Sequence, residues 1–311
     1  MCVPPGSRFP GVCSIQRVLE RIGSRAIQVA KSPVHLITRL TGLVGGGHVS
    51  RFISEDLAAR WAYLVSPAAR RAERSAAAHA ITSEECFAFS REYFGVGPVQ
   101  HMSEITALLE LARENGTRVV CEIGAEDAGT SVMFSRVLEP DTLIVMDLYV
   151  KNRWRLRRAA PSSQRVCVLD GDTTHPLTTR RLQHKLKGQK IDLLLIDGDH
   201  RWPGVRQDFL TYRQFVRDGG LIAFHDICET TDPSSGAWAG DVPAFWKLLR
   251  SIYPSFEFVD QPAQQGLGIG VVRYDETCSV EPVIAAVTAP APLSPAETEI
   301  AQVPDGEPLR S

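Results

Sequence analysis

Short apolar segments alternate with helical segments through the middle of the chain. Residues 191–196 and 221–224 are apolar runs bounded by Gly and charged residues, as expected for strands buried on both faces of a parallel sheet. Between them, apolar residues recur at helical spacing over 205–216. A strand, a crossover helix and a second strand end on the same side of a sheet. We therefore expect the residues that follow these two strands to meet at one sheet edge.

The same alternation continues over most of the chain. It predicts strands near 118–123, 142–147, 165–169, 191–197, 220–225, 256–260 and 267–273. It predicts helices near 103–114, 130–139, 176–187, 203–217 and 241–252. Five strand-helix repeats followed by a terminal hairpin indicate an α/β fold, a doubly wound and mostly parallel seven-stranded sheet with an antiparallel last strand.

Charge and composition mark the two ends of the chain. Residues 11–30 combine an apolar stripe with arginines elsewhere on the helical wheel, which predicts a basic amphipathic helix. This helix packs on its own domain or on a second subunit, or it lies on an anionic membrane. Residues 51–80, rich in Ala and Arg, predict further helix, so 1–95 form a helical basic extension and 96–275 the main domain. The Pro/Ala/Glu-rich residues 276–311 cannot bury a core, and we expect a disordered tail.

Composition narrows the class of protein. With 44% hydrophobic and 23% charged residues and a net charge of −2, the chain has the character of a soluble globular protein without a nucleic-acid signature. Its seven cysteines are scattered and form no CxxC pair, which indicates reduced thiols in a cytoplasmic protein. We find neither a signal peptide nor an apolar run long enough to cross a membrane.

The first strand-helix repeat carries a candidate nucleotide-binding loop. Its strand ends at Gly124, and Gly129 and Ser131 follow at the start of the next helix. A glycine at a strand end lets the backbone turn tightly against a ligand, and the next helix presents N–H groups, although such a loop can also be only a tight turn. The second strand ends at Asp147, which could accept two ribose hydroxyls, and Asp172 follows the third, where it could receive an exocyclic amine.

With these residues the chain resembles the class I S-adenosylmethionine-dependent methyltransferases, in particular the small-molecule O-methyltransferase branch with metal-dependent sugar and catechol enzymes. The resemblance covers about residues 100–273 and implies a Rossmann-like methyltransferase fold. It implies that Glu122 and Gly124 face the methionine part of the cofactor, Asp147 the ribose and Asp172 the adenine. The segments that carry it are Glu122-Ile-Gly124, Gly129-Thr-Ser131, Asp147, Gly171-Asp172, Ile196-Asp-Gly-Asp-His200, Gly219-Gly220, His225-Asp226 and Gly240–Trp246.

The resemblance also implies a divalent metal and a base. In the metal-dependent relatives, an Asp after the fourth strand and an acidic pair after the fifth hold a Mg²⁺-like ion, and Asp197 and Asp226 match. His225 stands where the sugar enzymes have a carboxylate, which shifts preference from Mg²⁺ towards Mn²⁺, Fe²⁺ or Zn²⁺, or else the metal is absent. His200 falls where those enzymes place a general base, and an imidazole suits that task near neutrality. Alternatively, His200 caps the next helix and Asp197 only orients the cofactor.

We therefore expect an enzyme that methylates a hydroxyl of a small molecule or of a glycosyl or lipid-linked sugar, in natural product biosynthesis. We expect a homo-oligomer that binds no nucleic acid. Alternatives on the same fold are hydroxylation, as in relatives that modify cephalosporins, and a non-catalytic cofactor-binding protein. An NAD-dependent oxidoreductase is disfavoured, because the loop spacing is not GxGxxG and Gly266, Gly268 and Gly270 lie on the last predicted strand.

Two further groups of residues lie near the predicted site. The basic run 151–158 follows Asp147 and is expected to form a solvated helix face. Trp202, Trp238 and Trp246 flank the predicted mouth, where they would wall the acceptor pocket or belong to the core.

Overall fold

A computed structural model of the chain describes residues 48–95, 97–231 and 238–287. The predicted amphipathic helix at 11–30 lies outside the described residues. Within them, no helix is both long enough and apolar enough to span a bilayer.

In the described part of the chain, seven strands form one sheet in the order β3-β2-β1-β4-β5-β7-β6, and β7 runs antiparallel to both of its neighbours. This confirms the predicted doubly wound, Rossmann-like sheet. The strands are β1 (Val119–Ile123), β2 (Thr142–Asp147), β3 (Arg165–Asp170), β4 (Ile191–Ile196), β5 (Val216–His225), β6 (Ser255–Phe258) and β7 (Ile269–Arg273).

Helices cover both faces of the sheet. The main-domain helices are α4 (Met102–Glu114), α5 (Gly129–Met133), α6 (Arg153–Ala159), α7 (Pro176–Leu186), α8 (Trp202–Tyr212) and α9 (Val242–Arg250). A π-helical turn at Phe134–Leu138 continues α5. The predicted helix 203–217 ends earlier, because Val216 already pairs with Ile191 and the ladder then shifts before Leu193 pairs with Leu221. The glycine pair 219–220 lies in this irregular stretch, where a bulge is easily accommodated.

Two apolar layers hold the sheet between the helices. Phe209 of α8 and Phe245 of α9 pack with Phe224 of β5 on one face. Leu108 of α4 belongs to the cluster on the other face, which includes Val120 of β1. Because β1, β4 and the end of β5 are buried on both faces, the loops at their carboxyl ends rest on a closely packed support.

The extension before residue 96 contains three described helices: α1 (His48–Val65), α2 (Pro67–His79) and α3 (Ser83–Tyr93). Asp56 of α1 accepts a hydrogen bond from the backbone N–H of Asn152 at 2.7 Å, and Glu73 of α2 pairs with Arg155 at 3.1 Å. Lys151 is buried and lies 4.5 Å from the ring centre of Phe52. The expectation of a solvated face at 151–158 is therefore wrong for Lys151, which pairs with Asp127 in the loop after β1, and for Arg155, which pairs with Glu73 of the extension. Arg157 and Arg158 are exposed, as expected.

The predicted tail also begins differently. A short helix, α10 (Glu281–Ala285), follows the sheet, and its Val283 is buried. The guanidinium of Arg206 donates to the carbonyl of Val283 at 2.8 Å, and the Trp202 indole donates to that of Ala286 at 2.9 Å. The expectation of disorder from residue 276 is thus wrong for 281–287, because side chains of α8 satisfy the carbonyl groups of this segment. Residues 288–311 lie outside the described part.

Candidate functional site

The carboxyl ends of β1, β4 and β5 meet at one edge of the sheet. Ile196 at the end of β4 lies between Ile123 of β1 and Phe224 of β5 in the ladder. The N–H of Asp197 donates to the carbonyl of Ile123 at 2.9 Å, so the loop after β4 begins against β1. Asp197 and Asp226, which are separated by 29 positions in the sequence, are brought together in this way.

Two aspartates and two histidines form a compact cluster at this edge. Nδ1 of His225 lies 3.3 Å from Oδ1 of Asp197 and 3.2 Å from Oδ2 of Asp226. Nε2 of His200 lies 3.4 Å and 3.5 Å from the same two oxygens. One ligand atom from each of Asp197, His225 and Asp226 can be chosen so that all three lie within 4.8 Å of one another.

The carboxylates of Asp197 and Asp226 favour the protonated form of each histidine. Burial opposes a charge on His225, but Asp197 and Asp226 outweigh it and raise its pKa to about 10. Burial likewise opposes a charge on His200, yet the hydrogen bond and charge of Asp197 leave its pKa raised. Burial opposes ionisation of Asp197, but the two histidines outweigh it and lower its pKa to about 2. With both imidazoles protonated and both carboxylates ionised, the four groups together carry no net charge.

The donor set fits a divalent cation. His225 is only 3% exposed, and its Nε2 has no hydrogen-bond partner among the described residues, while Nδ1 faces both carboxylates. A cation between Asp197, His225 and Asp226 would replace the imidazole proton that otherwise balances the carboxylates. Two carboxylate oxygens with one imidazole nitrogen suit Mn²⁺, Fe²⁺ or Zn²⁺ better than Mg²⁺.

The backbone of Asp226 is held in an uncommon conformation. Its φ is +63°, in the left-handed region, which Asp and Asn tolerate better than most residues. Its Oδ1 accepts a hydrogen bond from the N–H of Leu267 at 3.0 Å. The loop before β7 thereby holds one oxygen of Asp226, and the other faces the histidines.

Gln100, which the sequence patterns did not single out, also contacts this cluster. It is 3% exposed, its side-chain amide donates to Oδ2 of Asp197 at 3.2 Å, and its Oε1 accepts from the Thr130 hydroxyl at 2.9 Å. Gln100 is not part of any of the sequence motifs described above, and it lies between the extension and α4. The contact joins residues 97 positions apart, so local periodicity gives no signal for it.

The loop after β1 is shaped mainly by contacts within the protein. A Cβ atom at Gly124, where φ is +87°, would overlap the carbonyl oxygen of Asp197. A Cβ atom at Gly129 would overlap the backbone of Gly97. We expected glycine at these positions to let the backbone turn tightly against a ligand. The close approach of neighbouring backbone is sufficient to explain why both positions require glycine. Ser131 is buried behind the loop.

Glu122 lies at the end of β1 and is almost fully buried. The hydroxyl of Ser131 donates a hydrogen bond to its carboxylate. Burial raises the pKa of Glu122 to about 8, so its carboxyl group binds a proton more readily than that of a solvated glutamate.

Asp147 and Asp172 lie at the ends of neighbouring strands, as expected. Asp147 is half-buried, and its carboxylate accepts the backbone N–H groups of Glu126 at 2.7 Å and Tyr149 at 3.4 Å. Burial raises its pKa. The next residue, Leu148, is 58% exposed and offers an apolar surface beside the carboxylate. Asp172 is exposed, and hydrogen bonds from the hydroxyl and N–H of Thr174 lower its pKa.

The three tryptophans have different environments. The indoles of Trp202 and Trp246 are buried in the core and donate to Ala286 and Glu257. Trp238 is 65% exposed, and its ring stacks on His200 with 5.4 Å between the ring centres and 25° between the planes. Of the three, Trp238 is therefore the one at the mouth of the site.

His200 does not cap the following helix. Arg201 occupies the cap position of α8, and the first N–H of that helix donates to Asp241 at 2.7 Å. Nδ1 of His200 lies 3.3 Å from the carbonyl of Trp238, and Nε2 faces the two aspartates. The capping alternative is wrong, and the ring is held within the cluster from both sides.

Comparison with known proteins gives a match to a protein family. Residues 105–227 match the family model described as a methyltransferase domain. An uncharacterized protein, y4gI of Sinorhizobium fredii (strain NBRC 101917 / NGR234), is 31% identical over 84 residues. This match covers 27% of the chain and only 8% of the length of that protein.

Solved structures with a similar arrangement include two O-methyltransferases. TomG from Streptomyces achromogenes has a TM-score of 0.43 and 16% identity, over 64% of this chain and 89% of that one. The O-methyltransferase from Bacillus cereus has a TM-score of 0.44 and 16% identity, over 66% of this chain and 97% of that one. The methyltransferase MycE from the mycinamycin biosynthetic pathway, in complex with Mg, SAH and mycinamycin VI, has a TM-score of 0.38 and 16% identity, over 56% of this chain and 54% of that one.

We predict that Gly124→Ala destabilises the domain far more than a left-handed backbone alone requires. Its methyl group would overlap Asp197, whereas Gly116→Ala shares the left-handed φ, at +68°, with nothing within 4 Å of the new Cβ atom. We expect Gly116→Ala to cost about 1 kcal/mol, from the left-handed strain alone. Gly124→Ala should cost about 2 kcal/mol more, in the range of core overpacking. Urea unfolding measures both, and equal losses would show that β1 and β4 do not meet as described.

Proposed function

We propose that this chain transfers a methyl group from S-adenosylmethionine to a hydroxyl oxygen of a small-molecule acceptor, because residues 105–227 match the family model described as a methyltransferase domain. The observation that carries the proposal is the cluster of Asp197, His200, His225 and Asp226 beside the end of β1. Acidic groups for a cation and an imidazole for a proton lie there together, at the edge where open α/β sheets bind ligands.

The residues at the ends of β1, β2 and β3 fit a nucleoside with a cationic tail. Asp147 offers half-buried carboxylate oxygens, each of which accepts one backbone N–H, and exposed Leu148 offers an apolar contact for a base. We assign Asp147 to the ribose, Asp172 to the adenine and Glu122 to the methionine part. Gly124, Gly129 and Ser131 serve this site by fixing the loop and Glu122. The cofactor supplies the sulfonium methyl group when it is bound.

Asp197, His225 and Asp226 would hold a divalent cation. Such an ion supplies Lewis acidity towards an acceptor hydroxyl when it is bound. The chain itself contributes two carboxylate oxygens and one imidazole nitrogen in a buried setting. This set supports Mn²⁺ or another transition metal more than Mg²⁺.

His200 is the proposed general base. In this role the imidazole is in its neutral form: Nδ1–H donates to the carbonyl of Trp238, and Nε2 is the nitrogen that accepts a proton. The stacked indole holds the imidazole plane, so the accepting atom stays directed at the centre of the cluster. Positioning of the acceptor against the base and the cofactor would provide most of the acceleration.

The exposed ring of Trp238 supports an acceptor with an apolar face next to its hydroxyl, such as an aromatic or sugar ring. Two alternatives, a non-catalytic cofactor-binding protein and a hydroxylase on this fold, differ from the proposed enzyme in one observable. Either would bind S-adenosylmethionine without forming S-adenosylhomocysteine. Homo-oligomerisation, membrane contact through 11–30 and a cytoplasmic location stay predictions from the sequence.

We predict that Asp147→Ala weakens binding of S-adenosylhomocysteine by about 1–3 kcal/mol, the usual cost of lost hydrogen bonds to a charged group. Asp141→Ala is the matched control, because Asp141 is exposed at the opposite end of β2 and pairs with Arg118. Calorimetric titration of the three proteins measures the difference. Equal affinity in all three would remove Asp147 from the ribose site.

We predict that the protein binds Mn²⁺ and that Asp226→Asn abolishes this binding while leaving S-adenosylhomocysteine affinity unchanged. Asn keeps the shape and tolerates the left-handed backbone, but it removes the anionic oxygen that faces the histidines. Asp199→Asn is the control, since that carboxylate pairs with Arg201 outside the cluster. Calorimetry and elemental analysis give the readout. Mn²⁺ binding by Asp226→Asn at the parent affinity would place the ion elsewhere.

We predict that His200→Ala lowers turnover by about 10²–10⁴-fold, the usual range for a general base. Formation of S-adenosylhomocysteine is followed with catechol or a hydroxylated sugar as the test acceptor. Substitution of the exposed His184 on α7 should leave the rate unchanged. Cofactor affinity should barely change in either variant. A His200→Ala protein that turns over at the parent rate would show that the proton leaves by another route.

A further inference from the structure

We infer that Gln100 is a positioning residue of this site. It donates a hydrogen bond to Oδ2 of Asp197 and thereby directs Oδ1 towards the histidines and the cation. The inference rests on the proposed cation site and deepens it. Gln100 does not touch the cation; it acts through Asp197.

The orientation of the Gln100 amide is fixed by Thr130. A threonine hydroxyl can donate to an amide oxygen, and here the Thr130 hydroxyl lies 2.9 Å from Oε1 of Gln100. The amide nitrogen must then face the other way, towards the carboxylate of Asp197. Both side chains are buried, so water does not readily replace either bond.

The two oxygens of Asp197 consequently have different partners. Oδ1 contacts His225 and His200, whereas Oδ2 contacts the neutral amide of Gln100. An uncharged donor satisfies Oδ2 without adding a positive charge that would compete with a metal ion. Hydrogen bonds of this kind to a metal-binding carboxylate commonly change metal affinity by about 10–100-fold when they are removed.

Residues 97–100, which precede α4, bring Gln100 to the cluster. A Cβ atom at Gly95 would lie 2.7 Å from the carboxyl group of Asp127, and the backbone of Gly97 packs directly against Gly129. Both glycines have left-handed φ values, +72° and +74°. Gly95 and Gly97 thus lie against the loop between β1 and α5. The described end of the extension, whose role the sequence left open, therefore lies next to a part of the site.

The test compares Mn²⁺ affinity of the full-length parent, Gln100→Met and Thr130→Val by calorimetry. Met keeps the volume of Gln but cannot donate, and Val removes the hydroxyl that orients the amide. We expect Gln100→Met to bind Mn²⁺ about 10–100-fold more weakly. Thr130→Val should also bind Mn²⁺ more weakly than the parent, but by a smaller factor. The affinity for S-adenosylhomocysteine should stay unchanged in both variants.

Thr117→Val is the matched control. Thr117 is buried, and its hydroxyl has no hydrogen-bond partner in the described part of the chain. This variant should bind Mn²⁺ as the parent does. If Gln100→Met does not fold, the test compares the Mn²⁺ affinities of Thr130→Val and Thr117→Val. Weaker binding by Thr130→Val would then support the role of Gln100.

Three results would overturn the inference. Parent-like Mn²⁺ affinity in Gln100→Met would show that Asp197 needs no orientation by the amide. If Gln100→Met cannot be obtained folded, equal affinity in Thr130→Val and Thr117→Val would have the same meaning. A parent protein that binds S-adenosylhomocysteine but no divalent cation would remove the cation site together with this inference, while cofactor binding would still support methyl transfer.

Discussion

The close contact between the carbonyl of Asp197 and Gly124 determines how the ends of β1 and β4 meet, and the rest of the site depends on that junction. A side chain at Gly124 would separate the two strand ends. Because Asp197 follows β4 directly, its carboxylate is then held where the end of β5 presents His225 and Asp226. A packing constraint thus places Asp197, which the proposed cation site requires.

Charge balance is the second constraint on the site. Buried carboxylates need partners, and the two histidines supply them in the absence of an ion. The same atoms can hold a cation once an imidazole proton leaves. The cluster is therefore balanced in charge in the apo protein, and its atoms also suit the proposed cation.

Local patterns in the sequence were enough to predict the sheet and the strand ends that bear Asp147, Asp197 and Asp226. Apolar runs bounded by Gly and charge mark buried strands, and parallel strands share one carboxyl edge. Such patterns could not identify Gln100, because its partner Asp197 is distant in the sequence. The environments of Lys151 and Val283 were missed for the same reason: each is buried by segments that local composition does not identify.

The measurement that tests the account most directly is anomalous diffraction at the manganese edge from crystals grown with Mn²⁺ and S-adenosylhomocysteine. We predict one strong peak bounded by Asp197, His225 and Asp226, with the nucleoside beside Asp147 and Leu148. No peak at the cluster, in crystals that contain the nucleoside, would contradict a metal-assisted mechanism. A nucleoside bound away from the ends of β1 and β2 would contradict the central assignment of this sheet edge as the active site.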